Sequence, residues 1–141
     1  MEVREALDNG DDIPTRISVH SIAEALTSFL SVLAQPVVPD ALFPTSELEE
    51  SSMRLWCRGF LDSMPALNYN VFVYFLSFMR EILKERDVNG SSIETLKTVC
   101  LSCLTGVRNE DMMTREDLLK RETRLQYLSN VIVYFLTVED F

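Results

Sequence analysis

The sequence predicts an all-α fold, a single bundle of helices. Apolar residues recur at three- and four-residue steps, the period of a helix packed on a core. The segments that carry this period are separated by turns rich in Pro, Gly and Asn. Nowhere do apolar and polar residues alternate over a useful length, so no strand pattern competes. A chain of 141 residues has the length of one domain. It is long enough to bury roughly two thirds of the surface its unfolded form exposes.

Residues 1–16 are polar and turn-rich, with Asn9-Gly10-Asp11-Asp12 and Pro14, and leave room for a short helix before that turn. A helix is predicted over residues 21–33. Ser21 and Glu24 have the spacing of a capping box, in which a hydroxyl and a carboxylate satisfy orphan N–H groups. Ile22, Ala25, Leu26, Phe29, Leu30 and Leu33 form its apolar stripe. Pro36 cannot continue the helix and pushes Gln35 toward extended geometry. Pro39 repeats the restriction, so the turn is stiff and holds the next segment at a fixed angle.

Ser46 and Glu49 repeat the capping-box spacing and predict a helix over residues 47–63. Leu48, Met53, Trp56, Phe60 and Leu61 lie near one side of it, and Pro65 ends it. The next helix is predicted over residues 69–85. Its stripe is Val71, Phe72, Phe75, Leu76, Met79, Ile82 and Leu83, with Val73, Tyr74 and Phe78 off the stripe. A helix apolar most of the way round is expected at the centre of a fold. Asn89-Gly90 makes a turn. Ser91 and Glu94 cap a helix carrying Ile93, Leu96, Val99, Cys100, Cys103 and Leu104. Residues 106–113 read as a charged loop. Thr114 and Asp117 start a last helix, polar at first and strongly apolar over residues 125–136. The run from Asn70 to Ser77 echoes the run from Asn130 to Thr137, but the flanks differ. Two buried helices reaching the same apolar solution explain the echo better than a duplicated unit.

The net charge is −9, from 13 basic and 22 acidic residues, which argues against a nucleic-acid or anionic-membrane surface. No apolar run has the length of a membrane span, and the N-terminus lacks a signal-peptide profile. Three cysteines without an export signal point to reduced thiols in the cytosol. Cys100 and Cys103 form a C-x-x-C. Zinc needs about four ligands, and only Cys57 and His20, in unrelated segments, remain as soft donors. The cysteines therefore read as small apolar residues on a helix. Neither a metal nor a cofactor is expected. Glu47, Glu49 and Glu50 read as favourable charge near a helix N-terminus rather than a cation site.

The proline-bracketed turn carries a resemblance. Val19-His20 opening a helix, followed by Leu33-Ala34-Gln35-Pro36-Val37-Val38-Pro39, resembles the RhoGAP domain, the all-helical fold that docks on Rho-family GTPases. Met64-Pro65-Ala66-Leu67-Asn68-Tyr69 resembles a second family stretch, Leu-Pro-x-x-Asn-Tyr. The likeness is nearest to the C-terminal RhoGAP-like domain of inositol polyphosphate 5-phosphatases of the Lowe-syndrome type. That branch has His-Ser-Val-Ala-Glu-Ala-Leu where this chain has His20-Ser21-Ile22-Ala23-Glu24-Ala25-Leu26. Its core helix, Asn-Val-Phe-x-Tyr-Leu-x-x-Phe-x-Arg-Glu-Leu-Leu-Lys, is similar to the run from Asn70 to Lys84. The resemblance implies a RhoGAP-like helical bundle over residues 1–141 that lacks the N-terminal part of the domain.

A GTPase-activating domain lends an arginine to the charge developing on the transferred phosphoryl group. The resemblance places that finger upstream of the residues here. Active members carry Leu-Lys-x-Phe-Leu-Arg-Glu-Leu on the helix before the proline turn. Thr27 stands at the lysine position and Ser31 at the arginine position. An asparagine of active members becomes Thr95, and a later proline becomes Ser102. These departures match a branch that binds GTPases without accelerating them. Phosphatase chemistry would need clustered carboxylates, a histidine and magnesium. This chain has one histidine, His20, which is expected to sit at the start of a helix and hydrogen-bond a neighbouring loop.

The chain is therefore expected to be a catalytically inactive interaction module. The resemblance implies Rac- or Cdc42-like GTPases and endocytic adaptor peptides as partners. It also implies a cytoplasmic place, peripheral to endosomal or Golgi membranes. The expected contact residues are His20, Thr27, Ser31 and Thr95. Two alternatives stand beside this reading: an active domain whose finger lies upstream, and a structural fragment with no partner of its own.

Overall fold

The structure is a computed structural model and describes residues 2–12, 18–106 and 113–139. Among the described residues it is all helical, without a strand. The elements are α1 (Glu2–Asn9), α2 (Val19–Ser31), a 3-10 turn (Asp40–Leu42), α3 (Glu50–Ser63), α4 (Ala66–Lys84), α5 (Arg86–Asn89), α6 (Ile93–Thr105) and α7 (Arg115–Thr137). The all-α fold expected from periodicity is the fold observed. Most of the predicted charged loop, residues 107–112, lies outside the described residues.

The helix starts differ from expectation in an instructive way. Ser18, not Ser21, caps α2, its Oγ accepting from the Ser21 N–H at 3.2 Å. Ser92, not Ser91, caps α6, accepting from the Thr95 N–H at 3.1 Å. The residue at the cap must be extended so that its oxygen can turn back on the first turn. Ser18 and Ser92 have that geometry. Ser91 instead donates its N–H to the Asn89 side chain at 2.8 Å, in the bend after α5. Ser46 caps nothing: α3 begins at Glu50 behind Glu49, with no side-chain cap bond. Thr114 does cap α7, accepting from the Asp117 N–H at 3.1 Å.

Helix α6 packs between α2 and α7, and α4 packs on both α6 and α7. Helix α3 lies against α7, and α1 lies against α2. The core is aromatic where α3, α4 and α7 meet. Phe60 meets Phe72 edge-on at 5.3 Å, and Phe72 meets Phe135 edge-on at 5.4 Å. Such geometry adds to burial by about 0.5–1.5 kcal/mol a pair. The two echoed segments supply Phe72 and Phe135, so the echo reflects a shared position at the centre. Leu76, Cys100, Leu104, Leu128, Val131 and Ile132 complete the core.

Two expectations about burial are corrected. Only Leu30 of the α2 stripe is fully buried, while Ile22, Leu26 and Phe29 remain exposed. Helix α2 packs on α1 and α6, and these side chains are only partly covered. Nor is α4 enclosed all round: Tyr74 is 81% exposed and Phe78 51%.

The proline turn is the tightest polar junction in the molecule. Val37 and Val38 are buried. The Val38 N–H donates to the Leu104 carbonyl at 2.9 Å, satisfying one of the carbonyls orphaned at the end of α6. Asn68 Nδ2, from the first turn of α4, donates to the Val37 carbonyl at 2.9 Å. Gly106 ends α6 with φ +71°, where a Cβ would lie 3.3 Å from Pro36 Cβ, so glycine is required twice over. Beyond the turn, Arg124 Nη2 donates to the carbonyls of Asp40 and Phe43, each at 2.9 Å. Arg121 Nε reaches Asp40 Oδ2 at 3.3 Å. The 3-10 turn is thus fastened to α7.

Replacing Asn68 by Ala leaves the buried Val37 carbonyl without its donor, and should lower stability by about 1–3 kcal/mol. Chemical denaturation measures this directly. Ser77→Ala, at an exposed α4 position, should change it by less than about 0.5 kcal/mol. Equal midpoints for the two variants would show that the Asn68 bond carries no load.

Candidate functional site

Two grooves flank α2. The first runs between α2 and α6, has a volume of about 530 Å³, and is lined by Thr27, Ser28, Ser31, Val32, Thr98, Val99, Ser102 and Cys103. The second runs between α2 and α4, has a volume of about 440 Å³, and is lined chiefly by Leu26, Leu30, Val71, Tyr74, Phe75 and Phe78. The first gathers hydroxyls and the second gathers aliphatic and aromatic side chains. Both follow from α2 being an edge helix with differing sides.

The α2/α6 groove brings together Thr27 and Ser31, which sit one turn apart. Ser102 lies across from them on α6. Thr95 does not line the groove: it sits in the first turn of α6, its Oγ1 2.9 Å from the capping Ser92 Oγ. His20 does not line it either. It is exposed at the second position of α2. No hydrogen bond joins it to a loop among the described residues. The additional lining residues, Ser28, Val32 and Thr98, went unmarked in the sequence. Thr95, Thr98 and Ser102 share a helix face by spacing, and that polar stripe is the signal that could have found them.

Three of the groove's hydroxyls, those of Thr27, Ser31 and Thr98, donate to backbone carbonyls of their own helices. Thr27 Oγ1 donates to the carbonyls of Ala23 and Glu24 at 3.0 and 3.1 Å. Ser31 Oγ donates to the Thr27 carbonyl at 2.6 Å, and Thr98 Oγ1 to the Glu94 carbonyl at 2.9 Å. Among the described residues none that lines the groove is charged.

The cysteines behave as core. All three are buried. Burial pushes the Cys57 thiol up from 9.0 to about 12. Burial, and then the neighbouring Cys103, push Cys100 up to about 12. Burial also raises Cys103, with a hydrogen bond from the Ser31 side chain pulling the other way. Among the described residues no three His, Cys, Asp or Glu side chains converge so as to hold a metal ion. None of the helices there is long and apolar enough to cross a membrane.

The chain has relatives. The family described as the RhoGAP domain matches residues 1–109. The human protein "Rho GTPase-activating protein 24" is 26% identical over 94% of this chain and 18% of its own length. The mouse "Type II inositol 1,4,5-trisphosphate 5-phosphatase" is 27% identical over 89% of this chain and 12% of its own length. "Rho GTPase-activating protein 68F" of Drosophila melanogaster is 29% identical over 70% of this chain and 22% of its own length. The chain thus spans less than a quarter of the length of these relatives. No solved structure gives a significant match. Helix α7 lies beyond the matched residues, yet it supplies Phe135, Leu128 and Ile132 to the core.

Raised thiol pKa values set a sign. The folded state holds the protons of Cys57 and Cys100 more tightly than the unfolded state, so their contribution is complete below pH 9.0 and is lost as the pH rises toward about 12. Stability measured across that window should fall. A thiol reagent should label none of the three cysteines in the native protein near neutral pH and all three after unfolding. Rapid native labelling would contradict the burial of these side chains.

Proposed function

Because the chain belongs to the RhoGAP domain family, we propose that it is a docking module: it binds a Rho-family small GTPase of the Rac or Cdc42 kind through the α2/α6 groove and does not accelerate GTP hydrolysis. RhoGAP domains engage Rho-family GTPases, and that much comes with membership. The inactivity rests on one observation: the groove that carries Thr27 and Ser31 has no charged side chain. Active relatives of the pattern described above place two cations there. Loss of an arginine finger removes a factor of about 10³–10⁵ in rate. A neutral groove adds no compensating charge. His20 and Thr95 belong to the proposed contact surface as its outer residues, each in the first turn of one of the helices that form the groove.

The finer parts of the reading rest on the likeness to the 5-phosphatase branch. They are membership of a phosphoinositide 5-phosphatase, binding of endocytic adaptor peptides, and a place at endosomal or Golgi membranes. The mouse relative supports the first of these. The apolar α2/α4 groove is compatible with a helical peptide, though no lining residue singles one out.

Binding through an uncharged groove should be weak and nearly independent of salt. Calorimetry against loaded Rac at low and high ionic strength measures this. The double variant Thr27→Lys/Ser31→Arg should bind more tightly at low salt and lose that gain at high salt. In single-turnover assays the unaltered chain should leave the GTP hydrolysis of Rho, Rac and Cdc42 unchanged. Acceleration there would mean the groove is not the inert surface described.

A further inference from the structure

We infer that this chain pairs with a second copy of itself across the α2/α4 face, the two molecules meeting about a two-fold axis. Leu67, Val71, Tyr74 and Phe78 recur on α4 at steps of four, three and four residues and so form one seam along its outer side. Ile22, Leu26 and Phe29 do the same on α2. The groove between the two helices, about 440 Å³, is lined from both seams. Tyr74, Leu67 and Phe29 stand out beside it, 81%, 74% and 60% exposed. Single exposed apolar residues, such as Leu55 and Val88, need no explanation. Two neighbouring seams do, because a contiguous apolar patch marks a contact.

Area, charge and shape select the second copy. A whole aromatic side chain presents about 200 Å², and a Leu or Ile about 100 Å². At the exposures observed, the two seams leave on the order of 500 Å² open on each copy. Pairing two copies covers about 1,000 Å², the lower bound for a specific interface. Each copy carries a net charge of −9, so two copies can approach only where that charge is absent. Among the described residues no charged side chain lines this groove. Beyond Phe78 the α4 seam runs into the Glu81–Lys84 ion pair, which is neutral. Each copy also offers protruding rings beside a recess, the self-complementary arrangement that a two-fold contact requires. A foreign segment would need polar groups to fix its orientation, and the lining offers only Asn70 and the Tyr74 hydroxyl. A two-fold axis sets the register without them. The α2/α6 groove, on the other flank of α2, stays open in such a pair.

Sedimentation velocity on a dilution series from about 1 mM to about 1 μM tests the pairing. The unaltered chain should pass from dimer to monomer on dilution, since an interface of this size holds weakly. Tyr74→Asp and Phe29→Asp each set a carboxylate on a seam and should weaken pairing by about tenfold or more. Tyr74→Ser removes the ring without adding charge. It should weaken pairing severalfold, and serves should a carboxylate disturb folding. Leu55→Asp, on α3, should leave pairing unchanged. Each variant is checked for the thermal transition of the unaltered chain. Backbone amide resonances of the unaltered chain should move with concentration over residues 22–29 and 67–78 and hold still in α3 and α7. A chain that stays monomeric at the highest concentration overturns the inference. So does pairing that survives Tyr74→Asp and Phe29→Asp, falls equally with Leu55→Asp, or grows past the dimer. None of these results touches the Rho-family reading, whose groove is not part of this face.

Discussion

Two adjacent peptide groups hold this fold in register. The Val38 N–H closes the end of α6 on the Leu104 carbonyl, and the Val37 carbonyl takes the Asn68 amide from α4. Both valines are buried, and Asn68 is half-buried. An unpaired backbone group there would cost its full desolvation. The turn that follows α2 is thus bolted to α6 and to α4 together. Pro36 stiffens it and rests where Gly106 leaves room. The separation of α2 from α6, and with it the groove between them, is a consequence of that junction.

The same economy governs the charges. Arg124 is spent on the carbonyls of Asp40 and Phe43, Arg121 on the Asp40 carboxylate, and Arg80 on the Phe135 carbonyl. These cations hold α7 to the turn and to α4. Among the described residues, no cation lines the groove beside Thr27 and Ser31. Phosphoryl-transfer catalysis works chiefly by positioning charge against charge. The family's turn and its Asn-Tyr stretch persist here because Val37, Val38 and Asn68 build the scaffold. The chemistry-bearing positions on α2 have changed around them.

The bundle was legible in the sequence because periodicity reports burial at its centre. Phe72, Leu76 and Leu104 lie on predicted stripes, Leu128 and Phe135 in the apolar run predicted over residues 125–136, and all five are buried. Periodicity could not tell an enclosed helix from an edge helix. Ile22, Leu26 and Phe29 follow the same spacing as core residues, yet remain 37%, 40% and 60% exposed. Caps were misplaced by one to three residues, since spacing alone cannot show which serine is extended. Of the groove, Thr27 and Ser31 were visible only through a family pattern. Val32 was invisible, because an exposed valine announces itself only once the neighbours are known. The arginine ties of α7 were hidden too, lying in a stretch that reads simply as polar.

The most direct test of the docking claim is to follow backbone amide resonances while a Rho-family GTPase is added. The account predicts shifts clustered on Thr27, Ser28, Ser31, Val32, Thr98 and Ser102, the two walls of one groove. Shifts confined to the α4 side, at Tyr74 and Phe78, with the α2/α6 walls silent, would contradict it.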